Sequence, residues 1–94
     1  MFDLIIRGGA VYDGTGRPAR WADVAVSGGK IAAVEPLPQA RAARVIDARG
    51  KWVTPGFIDI HRHADAAAFR PGFGELELRQ GLTTIVNGNC GLSC

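Results

Sequence analysis

Long apolar runs are missing from this 94-residue sequence, and nothing in it approaches the ~20 residues a helix needs to cross a bilayer. A surplus of one charge is missing too. Eleven Lys and Arg stand against nine Asp and Glu, and a dispersed net charge of +2 argues against nucleic acid or a membrane surface as partner. Cysteine is scarce: Cys90 and Cys94, four positions apart, make no disulfide framework. The opening Met1-Phe2-Asp3-Leu4 puts an acid where a secretory leader carries basic residues, and no longer apolar segment follows. These absences suggest a soluble protein of a reducing, cytoplasmic compartment. No Gly-x-Ser-x-Gly elbow occurs, and neither Gly14-x-Gly16 nor Gly28-Gly29 has the strand-then-helix setting of a phosphate loop. Repeats at solenoid spacing are absent as well.

What is present is ordinary globular composition, 47% apolar and 21% charged, which excludes intrinsic disorder. Thirteen glycines at turn-like places suggest short strands joined tightly. Phe2 to Arg7 reads as a strand closed by Gly8-Gly9. Asp23-Val24-Ala25-Val26 and Ile31-Ala32-Ala33-Val34 flank Gly28-Gly29, a good hairpin signal because both turn residues can take positive φ. Pro36 and Pro38 break the pattern, and Ala40 to Arg44 reads as a solvated loop or a short helical turn. Val45-Ile46-Asp47-Ala48 and Lys51-Trp52-Val53 are further short strands, and Trp21 and Trp52 suit core or interface anchors. Residues 1–53 are thus expected to be a small all-β meander with little core of its own.

Character changes at Thr54-Pro55-Gly56. Phe57 to Ile60 looks like a strand buried on both faces, Glu75 to Gln80 suits a helix stopped by Gly81, and Thr83 to Val86 is a second buried strand. Strand, helix, strand argues for a parallel βαβ unit over residues 54–94.

His61 and His63, the only histidines of the chain, stand at i and i+2 where the first of these strands runs out. On extended backbone two such imidazoles point the same way and can grip one metal from one side. The end of a parallel strand is also where α/β folds place their sites. Asp59 is either a polar partner near that site or a structural hydrogen-bonding residue. Asp65 suits a loop position or a helix cap, and it is also a candidate to orient an imidazole or reach the metal. Cys90 closes the second strand inside Gly88-Asn89-Cys90-Gly91, either as a small buried hydrophobe or as a thiolate ligand at the same rim. Cys94 has no fixed geometry to it. A small stand-alone zinc-binding module using His61, His63, Cys90 and Cys94 is the rival reading outside enzymes.

The stretches Asp23 to Ile31, Val45 to Gly50 and Pro55-Gly56-Phe57-Ile58-Asp59-Ile60-His61-Arg62-His63 resemble the amino-terminal part of the amidohydrolase superfamily. Gly81 to Ser93, with its Gly-Asn-Cys-Gly, is similar to the N-acyl-D-amino-acid deacylase (D-aminoacylase) branch. The resemblance implies an α/β fold: part of a small β-sandwich domain over 1–53, then the first strand, helix and second strand of a metal-dependent TIM (β/α)8 barrel over 54–94. It implies one or two zinc ions, with His61, His63 and Cys90 among the ligands, and hydrolysis of N-acyl-D-amino acids to a carboxylate and the free D-amino acid. Zinc makes water nucleophilic near neutral pH and polarises the scissile carbonyl. The resemblance places the catalytic Asp and the remaining zinc ligands outside these 94 residues, so the chain by itself is expected to be catalytically incomplete. Its partners are then a small N-acyl amino acid or amide and the remainder of the barrel or a partner chain. A dihydroorotase- or hydantoinase-like cyclic amide hydrolase is the alternative within enzymes, and its lysine-centred metal bridge would leave Cys90 without a role.

Overall fold

The structure, a computed structural model, describes residues 1–91. The chain divides into two compact units, Met1–Pro55 and Gly56–Cys94.

The first unit is a five-stranded sheet. It contains β1 (Phe2–Val11), β2 (Arg20–Ser27), β3 (Lys30–Glu35), β4 (Ala42–Asp47) and β5 (Trp52–Val53). The order is β3-β2-β1-β4, with β5 also on β1. β2 and β3 are antiparallel to their neighbours, whereas β4 and β5 run parallel to β1, so the sheet is mixed and the expected simple meander is corrected.

Two local readings change for physical reasons. The pair Gly8-Gly9 does not close β1 but lies inside it, at a bulge between Ile6 and Gly9. Gly8 takes φ +75°, a left-handed conformation that suits the extra residue of a bulge. At Gly9 a Cβ would collide with the Val53 side chain. Residues 42–44 are not a loop but the start of β4, paired from Phe2↔Ala42 to Arg7↔Asp47. Ala and Arg carry little strand preference of their own, and the ladder offered by β1 decides their conformation. The hairpin expected at Gly28-Gly29 is present, with φ +59° and +75° matching a type I′ turn.

Val11, Ala22 and Val24 form a small buried cluster that Ile6, Val34 and Val53 complete. Beside it, buried Asp23 accepts hydrogen bonds from the Gly8 N–H at 2.8 Å and the Leu37 N–H at 2.9 Å. Arg7 donates to the carbonyls of Leu37 and Ala40, each at 3.0 Å. The proline-broken segment after β3 is thereby tied to the sheet by polar bonds instead of apolar burial. Trp21 and Trp52 are not core: they are 71% and 76% exposed.

The second unit pairs β6 (Phe57–Asp59) with β7 (Leu82–Ile85), and helix α1 (Glu75–Arg79) lies between them in sequence. The strands are parallel, as the βαβ pattern predicts, pairing Phe57↔Leu82, Ile58↔Thr84 and Asp59↔Ile85 with a register shift between Phe57 and Ile58. Gly56 is a glycine because a Cβ there would overlap the Thr83 side chain on the neighbouring strand. The expectation of strands buried on both faces fails. Phe57 is 56% and Ile58 62% exposed, and Ala64 is the one buried apolar residue among those described in this unit. The residues are apolar enough for a core, but the described residues of the second unit leave them uncovered. Among the described residues, no helix is long and apolar enough to cross a membrane.

Candidate metal centre

The parallel ladder outlasts the strands themselves. Beyond Asp59↔Ile85, the Val86 N–H donates to the Asp59 carbonyl at 2.8 Å, and the Arg62 N–H donates to the Val86 carbonyl at 3.1 Å. Two irregular segments, one carrying His61 and His63 and the other Cys90, therefore leave the sheet side by side.

In these segments the side chains of His61, His63 and Cys90 converge. One ligand atom from each lies within 4.8 Å of the other two, and all three residues are exposed. Cys90 Sγ stands 3.5 Å from His61 Nε2, and the two imidazole centroids are 5.2 Å apart with their planes at 73°. Zn–S and Zn–N bonds of ~2.3 and ~2.05 Å at a tetrahedral angle put sulfur and nitrogen roughly 3.6 Å apart. The sulfur–nitrogen separation here fits one edge of such a tetrahedron. Two neutral imidazoles and a thiolate are moreover a donor set that suits zinc. His61 sits in a bend just past the end of β6 and His63 two residues beyond it, where the strand was expected to run out, so neither lies on the strand itself.

Cys90 adopts φ +57° and ψ +28°, the one left-handed non-glycine residue among those described. A residue with a Cβ costs roughly 1–2 kcal/mol there, and such strain persists where the surroundings over-determine it.

Asp59 and Asp65 act on backbone rather than on imidazole. Asp59 accepts from the His61 N–H at 3.1 Å, and Asp65 accepts from the Gly88 N–H at 3.3 Å, joining the two segments. Two residues that the sequence reading passed over do similar work. The Asn87 side chain accepts from the Ala64 N–H at 3.3 Å, and the Asn89 carboxamide donates to the carbonyls of Val86 and Arg62. The signal that could have found them is the density of Asn around Gly88, since Asn favours side-chain bonds to nearby backbone. Cys94 lies outside the described residues.

Arg62, between the two histidines, bonds Glu77 on α1 at 2.6 Å and passes Asp59 at 3.9 Å. The Glu77 backbone N–H, and after it the Arg62 guanidinium, hold the Glu77 carboxyl below its ordinary 4.5. A carboxyl lowered in the folded state contributes stability above its unfolded value, and that stability is lost as pH falls through the folded one. The Arg62–Glu77 bridge is accordingly lost at a pH lower than an unpaired glutamate would set. A carboxyl-carbon NMR titration should show Glu77 titrating below 4.5, and a midpoint at or above that value contradicts the bridge.

The amidohydrolase family model matches residues 44–93, more than half of the chain. The chain belongs to the amidohydrolase family. Within this family it is 50% identical over 92 residues to an N-acyl-D-glutamate deacylase of Alcaligenes xylosoxydans xylosoxydans, covering 97% of this chain and 19% of that protein. It also superposes on the N-acyl-D-glutamate deacylase of Bordetella bronchiseptica, a structure complexed with zinc and a phosphonate mimic of the tetrahedral intermediate. There the TM-score is 0.91 at 46% identity, covering 98% of this chain and 19% of the other. A D-aminoacylase structure described for its binuclear metal centre matches with TM-score 0.90 at 49% identity, covering 99% and 20%. The chain spans about a fifth of the length of these amidohydrolases.

Proposed function

We propose that this chain carries part of the metal centre of a zinc-dependent amidohydrolase that cleaves N-acyl-D-amino acids to a carboxylate and the free D-amino acid. The observation that carries the proposal is the convergence of His61, His63 and Cys90 from the ends of two adjacent parallel strands. In this reading β6 and β7 are the first two strands of a TIM barrel, residues 1–53 contribute to a β-sandwich domain, and the rest of the barrel closes over the apolar faces of β6 and β7. Zinc held by the three residues, as one ion or as part of a pair, would supply a Lewis acid that makes water nucleophilic near neutral pH and polarises an amide carbonyl.

The chain's own residues do the holding. His61 and His63 present neutral nitrogen donors from one segment, and Cys90 presents sulfur from the other. Asp59 fixes the backbone of His61, and Asp65 fixes the turn before Cys90. The cyclic-amide alternative is not favoured, since it gives a cysteine drawn to 3.5 Å from a histidine nothing to do.

Incubation of the zinc-loaded intact protein with N-acetyl-D-amino acids, acyl-D-glutamate included, should release D-amino acid, while the L enantiomers stay intact. A fully zinc-loaded protein inert toward every N-acyl-D-amino acid offered overturns the proposal.

A further inference from the structure

We propose that Asn89 is a positioning residue of this metal centre, its carboxamide supplying by side chain the rung at which the β6–β7 ladder would otherwise end. The inference rests on the metal-centre reading above. Both backbone polar atoms of Arg62, the residue between the two histidines, are bonded to the opposite segment. Its N–H donates to the Val86 carbonyl at 3.1 Å, and its carbonyl accepts from Asn89 Nδ2 at 3.3 Å. The same nitrogen donates to the Val86 carbonyl at 2.8 Å. One amide group thus spans both segments, using its two hydrogens on two carbonyls.

The neighbour of this anchor in sequence is Cys90, held at φ +57°. A cysteine relaxing toward ordinary backbone angles would swing its sulfur away from the imidazoles. With Asn89 bonded to both segments, the residue before the sulfur is pinned to the peptide between the nitrogens. The ligand separation is then set before a metal arrives. Asn89 touches no ligand atom itself, so it acts through backbone alone. Groups that orient metal ligands from behind typically contribute about ten- to a hundredfold in affinity.

The test is titration of Co2+ into the metal-free intact protein, read at the thiolate-to-cobalt charge-transfer band, together with the melting temperature of the metal-free form. Asn89→Leu keeps the approximate shape of the side chain and removes both donors, and Asn89→Ser keeps one. The expected result is a midpoint weakened about ten- to a hundredfold in Asn89→Leu, with a weaker band at saturation, and a smaller shift in Asn89→Ser. If Asn89→Leu does not fold, Asn89→Ser carries the test alone. Wild-type midpoints and bands in the folded variants overturn the positioning role, and so does a lowered melting temperature with an unmoved midpoint. A wild-type protein without the band overturns the metal centre itself, and this inference with it.

Discussion

On the proposed function, replacing Cys90 by Ala in the intact protein should abolish tight zinc binding and, with it, turnover. Structural zinc sites of four ligands are worth about 10–16 kcal/mol, so one ligand accounts for roughly 3 kcal/mol, on the order of a hundredfold in affinity. The substitution isolates that loss. Alanine at φ +57° meets the same Cβ clash that cysteine does, so the backbone strain at position 90 is nearly unchanged. Metal analysis after gel filtration should find the variant depleted where the wild type is stoichiometric, and turnover should fall at least in proportion. Zinc content and turnover both equal to wild type would remove Cys90 from the site.

Produced as 94 residues, the chain should self-associate. Phe57, Ile58, Ile60, Leu76 and Leu78 all lie well exposed in the second unit, and among the described residues no further strand pairs with either edge of β6–β7. An isolated strand pair with uncovered apolar faces is unstable and sticky. Light scattering should give a mass above that of one chain, with the self-association suppressed when the remainder of the proposed barrel is supplied. Melting should show a transition from the sheet around Val11, Ala22 and Val24 and none from residues 56–94. A monodisperse monomer melting cooperatively throughout would mean that the exposed faces need no cover.

The second unit was more legible in sequence than the first. Parallel pairing of β6 and β7 followed from two β-branched runs around a helical stretch, and the His-x-His and Gly-Asn-Cys-Gly motifs sat where those strands end. The approach of His61, His63 and Cys90 was half legible in the spacing: neighbouring parallel strands finish together, but Cys90 read equally well as a small buried residue. The burial was not written there, since apolar residues announce a preference for cover and not who provides it. In the first unit, Gly8-Gly9 was opaque: the dipeptide signals a turn or a bulge equally well, and the close approach of Val53 decides between them. The parallel return of Ala42–Asp47 onto β1 is a tertiary choice that Ala and Arg do not encode. The acids illustrate the same limit. Asp59 and Asp65 stood at ligand-like spacing, yet nearby backbone N–H groups were closer claimants than any imidazole.

The sulfur and the imidazole it meets are 29 positions apart, with α1 and β7 enclosed between them. A metal gripping both would be a cross-link across that stretch. By the entropy of loop closure, tethering ends so separated removes roughly 3–4 kcal/mol of freedom from the unfolded chain. In a segment with so few buried side chains, the ion proposed for chemistry would also be the fastener that shields the enclosed stretch from proteases. Chelation would then loosen the scaffold as well as silence the catalyst.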